Sequence, residues 1–461
     1  MNKNLLYLFL FILAGCSESK KNSPNVFFSG EIVNPTSNHV VLYKGDVVID
    51  SSALDQHNMF SFKLDSIEDG LYHFKHAPEY QYVYLEKGDS LLIRLNTVDF
   101  DESLVFSGTG EEVNNFMMEI YLANENEDKL ITEYYSLEPI EFSRKIDSLE
   151  QLKLNFLSDL KLESALSDKA SEIAKANIVY NYATFKEKYP FKHKKYSGNK
   201  IVSKLSEDFY DYRNSLSYGN KDFTYLRPYY VYMLNHFGNL SYMTCTHDCN
   251  IKDNMAKNHL HFNKHKLKLI DSLVVEKELK DNLFRNVALD YLLKVHDTEE
   301  NNKIFIDVFH ALSDNNRHIS EIDDLYEGIK NIQPKKRIPN VEVANINGEK
   351  ISLQQIAKNK KAVFYFWSSS NKRHFNDISK RVSQLSNQKP DYTFVGINIK
   401  TSDDEWKSLI ETSGLDRATQ YRAEDFEKLT RALIVYPLNQ CIITENEMIV
   451  NAFADMYSSF K

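Results

Sequence analysis

Cysteine, glycine, proline and tryptophan are scarce in this chain of 461 residues, which contains 4, 14, 10 and 2 of them respectively. Four cysteines are too few for a disulfide-dense scaffold, so the fold must be stabilised by burial of apolar side chains. Low glycine and proline content argues against long disordered linkers. The formal net charge of −9 excludes the basic footprint that non-specific nucleic-acid binding requires, and we expect no nucleic-acid partner.

Aromatic and apolar residues are, by contrast, plentiful. The chain carries 28 tyrosines and 28 phenylalanines, and 42% of its residues are hydrophobic while 26% are charged. These proportions are ordinary for a globular protein with sizeable cores. At ~100–200 residues per domain, the length predicts two to four domains.

Residues 1–16 predict a targeting segment. Lys3 gives a positive start, and the apolar stretch 5–13 is shorter than the ~20 residues that a spanning helix needs. It leads into Leu13-Ala14-Gly15-Cys16, which resembles the bacterial lipobox, where the cysteine is acylated and becomes the first mature residue. The resemblance implies a lipid anchor at Cys16, through which the protein attaches to a membrane, and residues 17–25 then form a polar tether.

Three patterns follow one another after the tether. Residues 26–109 alternate apolar and polar side chains in short runs between turn signals, which predicts a β-sandwich. Residues 110–334 place apolar residues at three- and four-residue steps, which predicts a helical domain. Residues 335–461 alternate apolar strands with amphipathic helices, as in an α/β domain with a mainly parallel sheet. The expected fold class is therefore multidomain α+β.

Two groups of side chains carry specific expectations about burial. Tyr80, Tyr82 and Tyr84 share one face of a strand, which fits an aromatic cross-strand cluster better than a ligand platform. A helical stripe expected to be buried runs through Ile146, Leu149, Leu152, Phe156 and Leu160.

The C-terminal section resembles the TlpA- and ResA-type thioredoxin-like proteins. The likeness is carried by Ile338-Pro339-Asn340-Val341, by the apolar strand that ends in Phe366-Trp367, and by Tyr436-Pro437 ahead of the strand at Cys441. In that family a Cys-x-x-Cys begins the helix after the Phe-Trp strand, and a cis-proline lies opposite. A β-region, a helical spacer and a thioredoxin-like end also resemble the composite architecture of Bacteroidetes envelope lipoproteins.

The redox cysteines of that family are missing. Aligning the Phe-Trp pair places Asn371 and His374 at the two cysteine positions and Pro437 at the cis-proline. Disulfide exchange needs a thiolate and a second thiol, which an amide and an imidazole cannot supply. Cys441, inside an apolar strand, is expected to be a buried hydrophobe. We therefore expect no catalytic residue and no cofactor, and a domain that binds a protein or peptide partner.

The loop that follows Trp367 lacks the two cysteines of the resembled family, and its sequence can be explained by the start of a helix alone. Ser370 is expected to be the N-cap of the helix, with Lys372, Arg373 and His374 on a solvated face. A nucleophilic serine, Ser369 or Ser370, with His374 as its base would need an acid to orient the histidine, and the sequence places none there.

Cys245 and Cys249 lie four residues apart, near His236, His259, His261 and His265. The spacing leaves a local disulfide, a zinc site and two free thiols open. An oxidising envelope favours the disulfide, and no metal is expected. The alternative function, a thiol-disulfide oxidoreductase of the TlpA/ResA type, would have to use this pair, although it lies outside the thioredoxin-like region.

Replacement of Cys16 by alanine is expected to abolish lipidation and release the protein from membranes, because the thiol is the acylated group. Ser17 follows the cysteine, which favours the outer membrane by analogy with the enterobacterial sorting rule. Cell fractionation and the mass of the mature N-terminus measure both effects, with Ser17→Ala as the variant that keeps the thiol. Unchanged processing and membrane partitioning of Cys16→Ala would contradict the lipobox.

Overall fold

The computed structural model describes residues 25–198, 205–245, 248–252 and 255–460. The chain divides into two compact units, Met1–His236 and Phe237–Lys461. This division falls inside the section predicted as one helical domain, so both units contain helices from it. Cys16 and the rest of the predicted signal segment lie outside the described residues. Within the described ranges, no helix is both long and apolar enough to cross a membrane.

The first unit opens with two four-stranded sheets, of order β4-β1-β7-β8 and β3-β2-β5-β6. Their strands are β1 (Val26–Val33), β2 (His39–Lys44), β3 (Val47–Ala53), β4 (Met59–Leu64), β5 (Gly70–His76), β6 (Glu79–Leu85), β7 (Ser90–Asn96) and β8 (Val105–Thr109). Inward residues of both sheets, among them Phe28, Phe62 and Phe74, form one apolar core. The two sheets therefore pack face to face, because alternation gives each of them one apolar side.

Helices complete the first unit. They are α1 (Phe100–Ser103), α2 (Glu111–Tyr134), α3 (Pro139–Glu163), α4 (Asp168–Tyr196) and α5 (Arg227–Thr244), the last of which runs across the division between the units.

The buried face of α3 differs from the expected stripe. Its buried residues are Phe142, Ile146, Lys153 and Leu157, whereas Leu152 and Phe156 are 44% and 49% exposed. The Lys153 ammonium reaches Glu127 Oε1 at 2.7 Å, and this ion pair lets a lysine occupy the inward face. The prediction is confirmed for Ile146 and wrong for Leu152 and Phe156, because it counted only apolar residues.

A buried ion cluster links α4 to α5. Glu187 is 1% exposed, and Arg213 donates to its two oxygens from Nε at 2.8 Å and Nη2 at 2.6 Å. His236 Nδ1 lies 2.9 Å from Glu187 Oε1. Burial alone would raise the pKa of Glu187, but the hydrogen bonds from His236 and Arg213 outweigh it and lower the pKa to about 2. The carboxylate therefore stays ionised in the interior.

The second unit begins with helices and continues into a seven-stranded sheet. The helical part contains α6 (His259–Leu273), α7 (Lys277–Asp290), α8 (Glu299–Leu312) and α9 (Ile319–Asn331), with the short strands β9 (Ile251–Lys252) and β10 (Met255–Ala256) ahead of them. The remaining elements are β11 (Glu342–Ala344), β12 (Lys350–Ser352), α10 (Leu353–Ala357), β13 (Lys361–Trp367), α11 (Lys372–Gln388), β14 (Tyr392–Asn398), α12 (Asp403–Ser413), β15 (Gln420–Arg422), α13 (Phe426–Leu433), β16 (Gln440–Glu445) and β17 (Met448–Asp455).

The sheet has the order β12-β11-β15-β14-β13-β16-β17. Strands β13, β14 and β15 are parallel neighbours, and β16 and β17 continue the sheet in antiparallel pairs. Helix α11 connects β13 to β14, and α12 follows β14. The alternation of strands and helices is that of a thioredoxin-like α/β domain, as the sequence predicted. The expectation of a mainly parallel sheet was wrong, because two of the six strand pairs are parallel and four are antiparallel. The pairs β11–β12 and β16–β17 join strands that follow one another closely in the chain, and such connections give antiparallel pairs.

Arg213→Met is expected to lower the free energy of unfolding by about 3–5 kcal/mol, because it removes a partner of a buried charge. Urea denaturation at pH 7 measures the loss, and Arg144→Met, at an exposed position of α3, is the matched control. The stabilisation supplied by ionised Glu187 is complete above its ordinary pKa of 4.5 and disappears as the pH falls through about 2. Equal losses in the two variants would contradict the role of the cluster.

Candidate functional site

The candidate site is the start of α11, where the redox cysteines of the resembled family would stand. β13 ends at Trp367, and α11 begins at Lys372. Asn371 is the N-cap, and its Oδ1 accepts a hydrogen bond from the His374 backbone N–H at 3.0 Å. Ser370, the expected N-cap, instead places its Oγ 2.9 Å from Ser368 Oγ. The cap lies one residue later than predicted because the asparagine amide offers the better-placed acceptor.

The serines of the loop are engaged away from the histidine. Ser369 Oγ donates to Glu405 Oε2 at 3.1 Å, and the Ser369 N–H donates to Thr401 Oγ1 at 3.1 Å. A serine nucleophile would need its hydroxyl on the His374 ring. Since the described hydroxyl contacts go elsewhere, the loop does not form a Ser–His pair.

His374 is half-buried beside the backbone of Leu438, but neither imidazole nitrogen makes a hydrogen bond of normal geometry within the described chain. Burial lowers the pKa of His374, which favours the neutral ring. One nitrogen of a neutral imidazole donates and the other accepts. Both ring nitrogens are shielded from solvent, so this donor and this acceptor lie beneath the surface.

The segment opposite does not contain the expected cis-proline. Among the described residues the cis peptide bond is Ala77–Pro78, so the Tyr436–Pro437 bond is trans. The Pro437 carbonyl accepts a hydrogen bond from the Gln440 N–H at 3.0 Å, which closes a turn directly before β16. A trans bond is the default for an X–Pro pair, by about 0.5–1 kcal/mol, and this turn requires nothing else. The next residue, Leu438, has its backbone beside the His374 ring, but the cis isomer that the resemblance implies for Pro437 is absent.

Cys441 is the only cysteine of residues 335–461, and it is fully buried in β16 opposite Tyr365. Burial raises the pKa of its thiol well above the ordinary value. Since the thiolate is the reactive form of cysteine, this side chain has neither the access nor the ionisation for disulfide exchange. It packs as a small hydrophobe.

Two buried tryptophans lie in the core beneath the site. Trp367 and Trp406 are fully buried, and the Trp367 ring lies 4.6 Å from that of Phe375 on α11. Neither indole N–H has a hydrogen-bond partner within the described ranges. The Phe-Trp pattern indicates Trp367 in the sequence. No local pattern indicates the contact between Ser369 and Glu405 or the approach of Leu438 to His374, because both depend on tertiary structure.

Cys245 and Cys249 form a disulfide with a Cα–Cα distance of 5.9 Å. Of the four nearby histidines, His261 approaches the pair, and its ring nitrogen and the two sulfurs lie within 4.8 Å of one another. His265 bonds Thr244 Oγ1 at 2.8 Å, and His236 belongs to the ion cluster of the first unit. Thiolates would be needed to hold zinc, so the disulfide and a metal at this place exclude one another.

No family model matches the chain, and no curated protein matches it. Several solved structures, however, match parts of the chain. A thioredoxin-like protein from Bacteroides caccae is 13% identical, with a TM-score of 0.34, and the match covers 48% of this chain and 82% of that one.

Two thiol-disulfide oxidoreductase structures described as putative cover less of the chain. The C-terminal domain of one from Bacteroides thetaiotaomicron is 21% identical over 26% of this chain and 86% of its own, with a TM-score of 0.23. One from Bacteroides vulgatus is 15% identical over 25% and 75%, also with a TM-score of 0.23. At these values the likeness by itself identifies neither a family nor an activity.

Thiol counting on unfolded, unreduced protein is expected to detect Cys441 but not Cys245 or Cys249, because a disulfide does not react with thiol reagents. Prior reduction should add two reactive thiols. Mass spectrometry of the labelled peptides assigns each thiol to its cysteine. Labelling of Cys245 and Cys249 without reduction would contradict the disulfide, and stoichiometric zinc released at the same time would favour the metal site.

Proposed function

We propose that this protein is an envelope lipoprotein, held to a membrane through Cys16, whose thioredoxin-like domain is redox-inactive and binds a protein or peptide partner. The observation that supports it most is the environment of Asn371. At the position of the attacking thiol stands an amide whose oxygen caps α11 through the His374 N–H. An amide cannot attack a disulfide, and this one is already committed to holding the helix start.

The remaining sulfur of the domain cannot substitute. Cys441 is buried in a central pair of strands, with a raised thiol pKa. Disulfide exchange passes through a mixed disulfide with the substrate, so the attacking sulfur must be accessible and ionised. Cys441 meets neither condition.

The surface at the helix start is equipped for binding. Tyr436 is 60% exposed, and Lys372 and Arg373 are exposed at the first turn of α11. Two cations at the positive end of a helix are unfavourable without an anion nearby. They favour a peptide partner that brings a carboxylate to this position.

The alternative, a thiol-disulfide oxidoreductase, would rely on Cys245 and Cys249. Its support is the disulfide with His261 beside it. Against it, Cys245 is 5% and Cys249 is 0% exposed, so a substrate disulfide has no direct access to either sulfur. The pair also precedes α6 and lies outside the thioredoxin-like sheet.

The full chain is expected to reduce insulin no faster than buffer containing the same dithiol reductant, because the helix start lacks sulfur. The double variant Asn371→Cys/His374→Cys should acquire a disulfide that the reductant opens, which thiol counting and a mass change of two hydrogens detect. Asn371→Ala/His374→Ala is the matched control for loss of the original side chains.

Two outcomes would contradict this assignment in different ways. Catalytic turnover by the unmodified chain would overturn redox inactivity and support the alternative, which Cys245→Ala/Cys249→Ala would then abolish. Failure of the folded double-cysteine variant to form its disulfide would show that positions 371 and 374 do not carry the geometry of a redox site.

A further inference from the structure

The first unit contains a cleft of about 640 Å³, separate from the site on α11. It is lined by residues of β6, α1, α2 and α4 and by the start of α5. The strand contributes Glu79, Tyr80, Gln81 and Tyr82, which are consecutive in sequence. When neighbouring residues of a strand line one cavity, the cavity faces the edge of that strand and not only one of its surfaces.

Strand β6 is an edge strand, since its sheet has the order β3-β2-β5-β6. At Tyr84 this edge is covered. The Asn114 side chain accepts from the Tyr84 N–H at 2.7 Å and donates to the Tyr84 carbonyl at 2.9 Å. The backbone groups of Tyr84 therefore point away from β5.

Along an antiparallel strand, the backbone N–H and C=O groups of every second residue point to the same side. The backbone groups of Tyr82 and Tyr80 therefore also point away from β5. The Tyr82 N–H is turned to the Gln81 side chain, whose Oε1 accepts from it at 2.8 Å. A side-chain amide here replaces a neighbouring strand. From Glu79 to Tyr82 the edge thus faces the cleft, whereas Asn114 closes it at Tyr84.

The charge in the cleft is predominantly negative. Glu79, Asp101, Glu125 and Asp128 line it, against the single cation Arg227. Tyr121 donates to Glu125 Oε1 at 3.0 Å, and Gln81 Nε2 donates to Asp101 Oδ1 at 3.1 Å. These are neutral donors, and in the described chain no lysine or arginine forms a salt bridge with any of the four carboxylates. The charge of Lys188 acts on Asp128 at longer range. Burial raises the pKa of Asp101, and the charge of Glu125 adds to the effect.

Two further polar atoms are available on the helical wall of the cleft. Asn124 Oδ1 and Asn181 Nδ2 are buried and have no hydrogen-bond partner in the part of the chain that the structure describes. Both residues line the cleft. The described chain thus leaves one acceptor and one donor unsatisfied on residues that line the cleft.

We propose that this cleft binds an extended peptide segment carrying lysine or arginine, which adds to β6 as a fifth strand. The outward backbone groups of Tyr80 and Tyr82 would pair with the peptide, which takes the place of the Gln81 amide at the Tyr82 N–H, as in other cases of strand addition. Charge complementarity selects basic side chains, which the carboxylates of Asp101 and Glu125 would neutralise. The exposed ring of Tyr80 adds a face for a cation. This inference does not depend on the proposed function of the thioredoxin-like domain.

Fluorescence anisotropy with the full chain tests the proposal. The probe is a labelled, end-capped heptapeptide of alternating valine and lysine, compared with its valine–glutamate counterpart. The lysine peptide is expected to bind at least tenfold more tightly. A lysine peptide whose internal amide nitrogens are all methylated should also lose at least tenfold in affinity, because it cannot pair with a strand. Undiminished binding of the methylated peptide would overturn strand addition.

A double variant tests whether the carboxylates of the cleft select a basic peptide. Asp101→Asn/Glu125→Gln is expected to weaken the lysine peptide at least tenfold. Asp159→Asn/Glu163→Gln, at exposed positions of α3 outside the cleft, changes the net charge equally and should leave binding unchanged. Equal losses in both would show attraction by overall charge and would overturn the site. Full displacement of the peptide by spermine at equal charge concentration would likewise identify a polyamine site instead.

Hydrogen exchange on the unmodified chain tests the proposal without a substitution that could disturb the fold. Addition of the lysine peptide is expected to slow amide exchange in residues 79–85, with no comparable change in β3 at the other edge of the same sheet. Protection confined to other segments would overturn the placement of the peptide on β6.

Discussion

Burial of β13 on both faces is the constraint on which the candidate site depends. Residues 362–367 are all fully buried, because β14 and β16 pair with the two edges while helices and neighbouring segments cover the faces. The one polar group among these side chains other than the Trp367 indole, the Tyr365 hydroxyl, accepts a hydrogen bond from Gln420 Nε2 at 3.0 Å. Because this strand is tightly packed, the position of its last residue, Trp367, is fixed. That position determines where α11 can begin.

The same packing holds the start of α11 in place without a sulfur at positions 371 and 374. The helix start needs a cap, and Asn371 supplies it. The site needs no sulfur to be stable, since the packing of Trp367 on Phe375 and of Cys441 in β16 lies beneath it. The surface at this helix start carries the exposed side chains of Lys372 and Arg373.

The first unit stabilises its interior differently. Glu187 remains charged while buried, because Arg213 and His236 both bond to it. In the cleft beside β6 the carboxylates have only neutral donors. The unit thus contains a buried carboxylate that is paired with cations and, in the cleft, exposed or half-buried carboxylates for which the described chain shows no salt bridge. Only the first arrangement is part of the packed interior.

Sequence by itself determined the order of strand-rich, helix-rich and α/β sections, because period-two and period-3.6 patterns report which side chains face a core. It also determined that residues 335–461 lack a redox cysteine pair, since residue identity needs no structure. Tertiary structure decided the rest. The inward face of α3 depends on a lysine whose partner, Glu127, lies on another helix. The trans bond before Pro437 and the cap at Asn371 depend on local turns. The cleft at β6 depends on an edge and four elements that are distant in sequence, and no local pattern encodes what meets across such distances.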